Sequence, residues 1–418
     1  MSTATNAASR TQPGEHSFQS EVRAVVGGLR DAVRAALGEE GEQGSRPPAD
    51  LSRDLGLDTK LGWKLHWVLV NDDPFAAALF VPGRAGVGII AEGLRRAGAS
   101  AEAAASVTRA GEAFHRCVTR HAENRAGFDT LLAAHSSDER AALEHRRQAY
   151  QGSRYIWGIE TRANLLTYIV HPSAGGETMD VASIRGIIGC QRLREHVPWR
   201  VGRTTLRRPE GVDAAFKREP VDPALGSMNP GDGLPIMGTY CTDPLPAIDR
   251  VPGPHGAVEF QLGPGPVGKR GRFDLITGEV VRAMQPRFAE EGDPPLRMRF
   301  GVRIPAQMAV FDVLMHKEMF ARSAPRVSML SDLFASELGS THQPADELPN
   351  APELEILRVS ADALAVDEAP RFGDAVDEAL GVLGWSAESF DLFRVAVPYP
   401  AVPTTMVMAF DPTTARRG

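Results

Sequence analysis

The apolar residues of this chain repeat with two different periods, and the change of period constrains the fold more than any other feature. From Phe18 to Leu37 they recur every three or four positions (Phe18, Val22, Val25, Leu29, Val33, Ala36, Leu37), which lays one apolar stripe along a helix. Helical periodicity resumes at Ala49 and continues to about Tyr168. Pro74 and Pro82 interrupt it early, and helices are expected near 85–97, 101–122, 124–134, 137–150 and 155–170. After His171-Pro172 the helical period stops. Residues 256–345 alternate as strands do, at Val258–Leu262, Phe273–Met284 and Leu296–Met315. One more helix, Phe372–Leu383, is punctuated by Gly384, and strand patterns at Phe393–Val397 and Thr405–Phe410 close the chain.

These shifts divide the 418 residues into a low-complexity tail (1–17), an amphipathic helix with linker (18–45), a helical domain (46–171), a Gly/Pro/Arg-rich connector (172–255) and a β-rich domain (256–418). Helices first and strands later give an α+β expectation: a helical N-terminal domain, then a mixed, mostly antiparallel, β-rich C-terminal domain. At 43% apolar residues there is material for a sizeable core. The leading stripe has two readings, a helix packed on its own domain or a seam that pairs with a second copy. Val302-Arg303-Ile304-Pro305 followed by Met308–Val313 is echoed by Val395-Ala396-Val397-Pro398 followed by Val402–Met408. Proline cannot donate to a ladder, so both prolines are expected at edges or turns.

Pro48–Val70 (PADLSRDLGLDTKLGWKLHWVLV) carries the most specific local signal. Leu51 and Leu55 form the inner face of a short helix, and small Ser52 admits a close neighbour. Gly56 suits a turn needing positive φ, Leu57 plugs it, and Asp58 can cap the next helix. Leu61, Leu65, Val68 and Leu69 then bury one face, while Thr59, Lys60, Trp63, Lys64 and Trp67 occupy the other. The spacing is similar to the helix-turn-helix of bacterial regulators (helix, glycine turn, recognition helix), which implies DNA contact through Thr59, Lys60, Trp63 and Lys64. The same arrangement also serves protein contacts or an ordinary helical hairpin.

Charge is distributed unevenly. Fourteen Lys or Arg stand against seven acids between Arg140 and Arg218, a segment of +7 inside a chain of −7. Clustered cations favour phosphate by releasing counterions, so Arg192, Arg194, Arg200 and Arg203 are candidate nucleic-acid contacts. Tyr150, Tyr155, Trp157, Tyr168 and Trp199 interleave with them. The competing expectation is that these arginines pair with the acidic stretch Asp346–Asp391, where twelve acids face two arginines.

Several familiar motifs fail. Gly263–Lys269 fits GxxxxGK, but Arg270 replaces the magnesium-binding hydroxyl, Pro264 and Pro266 remove two amides, and a strand pattern follows; a Pro-Gly turn is expected. Cys190, His196, Cys241 and His255 match no zinc spacing, and His115, Cys117 and His121 are expected to share a helix but not a face, the two histidines pointing apart. Three cysteines are too few for a secreted scaffold. Met1–Ser17 has no leader pattern, and no apolar run approaches membrane-spanning length.

The expectation is therefore a cytoplasmic, DNA-binding one-component regulator. It would sense a ligand or oligomerise through its C-terminal domain, and act as a homodimer or higher oligomer. No metal, cofactor, membrane contact or catalytic residue is expected. A self-assembling structural protein, and an enzyme with a dispersed site near His171 or His316, are the alternatives.

Overall fold

The computed structural model describes residues 17–38, 46–136, 139–204, 217–221, 233–253, 257–290, 293–319, 324–333, 344–349 and 351–411. The expected tail apart from Ser17, most of the linker, Arg207, Arg208 and His255 lie outside the described residues. The chain divides into two compact units, Met1–Ala142 and Leu143–Gly418.

The first unit is helical: α1 (Phe18–Leu37), α2 (Pro48–Leu55), α3 (Thr59–Val70), α4 (Pro74–Phe80), α5 (Arg84–Arg96), α6 (Ala101–His121) and α7 (Arg125–Ala133). Ser17, Asp58, Asp73, Ser100 and Asn124 start five of these helices by accepting from backbone amides of the first turn. Val22, Val26, Leu29 and Val33 of α1 are buried with Val107, Phe114 and Cys117 of α6. The leading stripe thus packs inside the chain's own core. Among the described residues no single helix is long and apolar enough to cross a membrane. The α4–α5 pair passes by length and composition, but it bends by 90°, and Phe75, Ala77, Ile90 and Leu94 are core residues.

The boundary between units falls in the first turn of α8 (Glu139–Trp157). Gly158, at φ +68°, ends that helix, and β1 (Ile159–Pro172) follows. The sequence pattern predicts a helix over 155–170, whereas residues 159–172 are strand. The reason is burial on both faces: β1 lies between β2 (Thr178–Arg192) and β9 (Ala306–His316), so its apolar run is nearly continuous and shows no alternation. The same holds for β2, which makes much of the expected connector a central strand.

The remaining elements are β3 (Trp199–Thr204), β4 (Lys217–Pro220), β5 (Ile248–Pro252), β6 (Val258–Leu262), β7 (Phe273–Pro286), β8 (Leu296–Val302), β10 (Arg326–Ser331), β11 (Glu355–Leu357), α9 (Ala361–Leu364), α10 (Phe372–Leu383), β12 (Phe390–Pro398) and β13 (Thr404–Phe410). They form a seven-stranded sheet, β11-β12-β9-β1-β2-β7-β4, and two three-stranded sheets, β10-β13-β8 and β3-β6-β5. Of the strand ladders among the described residues only β1–β9 is parallel, so the chain is α+β with a mixed, mostly antiparallel second unit.

Alternate residues of the large sheet serve opposite layers. Leu165, Ile169 and Ile184 pack with Phe372, Val376 and Leu380 of α10. Leu166, Val170 and Phe311 face the other way, against Phe300, Met406 and Met408 of the β10-β13-β8 sheet. The β3-β6-β5 sheet shares a further core with Phe273 and Leu275. The two strand–proline units are corners: β8–Pro305–β9 and β12–Pro398–β13 each carry the chain between the large sheet and the β10-β13-β8 sheet, where β9 pairs with β12 and β8 with β13. Between β9 and β12, Arg394 forks onto Asp312 through two hydrogen bonds of 2.8 Å, and both side chains are buried.

Candidate functional site

Two places concentrate the candidate residues, one in each unit. In the first, α2 ends at Gly56, whose left-handed backbone (φ +61°, ψ +39°) turns the chain. Leu57 is buried beneath the turn, and the Asp58 carboxylate accepts from the Leu61 amide at 2.9 Å. A Cβ on Gly62 would lie 2.0 Å from Ser52 Oγ and 3.1 Å from the Pro48 carbonyl, so the two helices cross closely there. Arg30 and Arg34 of α1 donate to the Val68 and Leu69 carbonyls at 2.7 and 3.0 Å and tie down the end of α3. Leu61, Leu65 and Val68 are buried; Leu69 is half-buried.

The opposite face starts with exposed Thr59 and Lys60. Trp63 is 43% exposed, and Lys64 is half-buried. Phe80 of α4 covers part of this face, meeting Trp63 edge-on at 5.2 Å and stacking on Trp67 at 5.9 Å. The local acids are engaged elsewhere: Asp54 pairs with Arg46 at 3.6 Å, Asp50 with Arg53, and Asp58 caps the helix. Lys60 and Lys64 have no ion pair among the described residues, so the weak local excess of positive charge sits on α3.

In the second unit the basic segment separates by role. Arg192 is 1% exposed and donates from Nη2 to the Gly263 carbonyl, while its Nε and Nη1 have no hydrogen-bond partner among the described residues. Its guanidinium is turned into the protein beneath the Pro-Gly loop. Arg194 lies over the Tyr155 ring at 5.7 Å and donates to the Tyr155 carbonyl at 2.6 Å. Arg154, Arg200 and Arg218 pair with Glu160, Glu259 and Glu279. None of these acids belongs to Asp346–Asp391, so the pairings found differ from those expected.

Arg200 and Arg203 meet on a cleft of about 170 Å³. They are three residues apart, which on a regular strand would place them on opposite faces. The β3–β6 register slips between Arg200 and Gly202, and this bulge brings both toward Glu259, at 2.8 and 3.9 Å. The floor of the cleft is the large sheet, where Arg185 lies beside Thr277 and Ile187 beside Leu275. Phe300 and Gly301 of β8, with Arg303, form the far wall. Gly301 lets the Arg303 guanidinium lie 3.0 Å from where a Cβ would be, and Asp332 anchors it at 2.7 Å. Among the described residues, four arginines and no acid therefore line the cleft. The charge pattern of the sequence points to Arg200 and Arg203 but not to Arg185 and Arg303, which only the strand register and the β8–β9 corner bring there.

The other candidates resolve into structure. Gly263–Gly271 is a loop joining β6 to β7, with one short helical turn at Gly268–Gly271 and no helix after it. Cys117 and His121 of α6 do share a face, with Glu21 of α1, and their donor atoms lie within 4.8 Å of one another. Glu21 is already bound by His121 at 2.8 Å and Arg120 at 2.6 Å, and burial pushes the Cys117 thiol up to about 11. No fourth donor joins them among the described residues, and this is a hydrogen-bonded cluster. His171 stacks on Trp385 at 4.7 Å and meets His316 edge-on at 4.9 Å. Burial lowers the His316 pKa, and neither ring is hydrogen-bonded to a serine, cysteine or carboxylate among the described residues. Comparison with protein-family models, curated proteins and solved structures finds no match.

Proposed function

We propose that the chain is a DNA-binding regulator whose first unit contacts the duplex through the N-terminal half of α3 and whose second unit senses a ligand. The observation that supports this reading is that Lys60 and Lys64, without an ion pair among the described residues, stand on a helix held by a glycine turn, an Asp58 cap and a close crossing at Gly62. Cations without an internal partner can exchange counterions for phosphate without first breaking an ion pair. Recognition by an inserted helix needs that helix fixed relative to its neighbour, which the Ser52–Gly62 approach provides. A second copy of the chain, which paired half-sites would require, belongs to the same proposal and is read by light scattering. The test is a gel shift of the full chain across a salt series, comparing wild type with Lys60→Ala/Lys64→Ala. Removing one lysine–phosphate interaction should flatten the dependence of log K on log salt by about one unit, with circular dichroism unchanged. A double variant that binds as wild type does would refute the role of α3.

A further inference from the structure

We infer that the arginine-lined cleft of the second unit binds a small phosphate monoester carrying an apolar or ring-shaped body. This names a ligand class for the proposed sensing unit and stands on the cleft alone, so it survives or fails independently of DNA binding.

Charge sets the class of ligand. Arg185, Arg200, Arg203 and Arg303 line the cleft. Glu259 and Asp332, behind the walls, offset two of these charges. Two positive charges remain, which match a phosphate monoester dianion better than a monocarboxylate. The two arginines with donors to offer are identifiable. Arg185 has no ion pair or hydrogen bond among the described residues. Arg203 has no hydrogen-bond partner at Nε and Nη2 among the described residues, its approach to Glu259 at 3.9 Å being beyond hydrogen-bonding range; both nitrogens are covered, so the side chain turns to present them to an oxyanion. A buried donor without an acceptor costs stability, and an oxyanion supplies two acceptors to each guanidinium fork. Arg200 and Arg303 are held by their carboxylates and frame the site.

The remaining lining sets the body of the ligand. Trp199, Ile187 and Phe300 present apolar surface beside the cations, and Trp199 is braced edge-on by Trp157 at 6.1 Å. A cleft of about 170 Å³ is below the usual range of about 300–1,000 Å³ for drug-sized ligands. It suits a phosphate with one ring or a short chain.

Isothermal titration of the full chain tests this with phenyl phosphate, inorganic phosphate, benzoate and single-stranded oligothymidylate. Phenyl phosphate should bind saturably at one site per chain, at least tenfold more tightly than inorganic phosphate or benzoate. Arg185→Gln should weaken it about tenfold to a hundredfold, as removal of a charged hydrogen bond does; Arg203→Gln should do the same where circular dichroism shows it folded. Arg326→Gln, a surface change on β10 outside the lining, should leave binding unchanged. Arg185 is exposed, so its variant keeps the test decisive if the Arg203 variant does not fold. No saturable binding of phenyl phosphate, or unchanged affinity in Arg185→Gln, would overturn the site. Inorganic phosphate binding as tightly as the ester would overturn the apolar body. Oligothymidylate outcompeting the ester, with that binding abolished in Arg185→Gln, would overturn the small ligand in favour of a nucleic-acid groove.

Discussion

Replacing Arg394 with methionine removes one half of the buried pair between β9 and β12. Asp312 is 1% exposed, and its side-chain hydrogen bonds among the described residues both come from Arg394. The variant strands a carboxylate with no donor and takes a 3.1 Å hydrogen bond from the Leu364 carbonyl. An uncompensated buried charge costs about 3–5 kcal/mol, and the missing carbonyl bond adds about 1 kcal/mol. Asp312→Leu/Arg394→Met removes the charge as well, and apolar replacement of a buried pair is close to neutral, so the double variant should return to within about 1–2 kcal/mol of wild type. Urea unfolding read by hydrogen exchange of β9 and β12 peptides follows the second unit separately from the first. Equal destabilisation of the single and double variants would show that the loss comes from packing rather than from a stranded charge.

Gly62→Val should separate α2 from α3, since the added side chain enters space 2.0 Å from Ser52 Oγ and 3.1 Å from the Pro48 carbonyl; overpacking of this kind costs about 1–3 kcal/mol, and Ser52→Ala should recover part of it in thermal unfolding. Acid should act on both units. The His121 hydrogen bond, with Arg120, holds the Glu21 carboxyl below its ordinary range. Burial alone would raise Asp180, but hydrogen bonds from Ser173, the Ala283 amide and Arg282 outweigh it and hold this group down too. A depressed folded pKa contributes stability above the unfolded value that is lost as pH falls through the folded one, so Asp180→Asn should lower stability at pH 7 and flatten the loss below about pH 4 in acid titration of unfolding. Burial pushes the Cys117 thiol to about 11 and the Cys190 thiol to about 12. At pH 8 only about one Cys117 in a thousand is thiolate, so a native thiol titration should report half-buried Cys241 first and the other two only on unfolding.

How much of this was legible in the sequence depended on whether burial left a period behind. Helices α5, α6, α7 and α10 bury one stripe, and Gly384 caps α10 in the left-handed conformation its position suggests. The turn at Gly56, the plug at Leu57 and the cap at Asp58 were legible because each is local chemistry. Strands β1 and β2 were not, because burial on both faces erases the alternation that betrays a strand. The cleft was half legible: Arg200 and Arg203 stood out as charge, but the bulge that aligns them, and the meeting of β2, β3 and β8 that adds Arg185 and Arg303, are long-range pairings with no local mark. Sequence charge also exaggerated the case of Arg192, whose guanidinium lies inside the protein.

DNA binding is read most directly by fluorescence anisotropy of the 418-residue chain against a labelled random-sequence duplex, first at low salt and then across a salt series. A regulator that touches phosphate through Lys60 and Lys64 should bind saturably at low salt, lose affinity linearly in log salt, and lose about two units of that slope in Lys60→Ala/Lys64→Ala. No change in anisotropy at low salt, with the protein folded by circular dichroism, would contradict DNA binding outright.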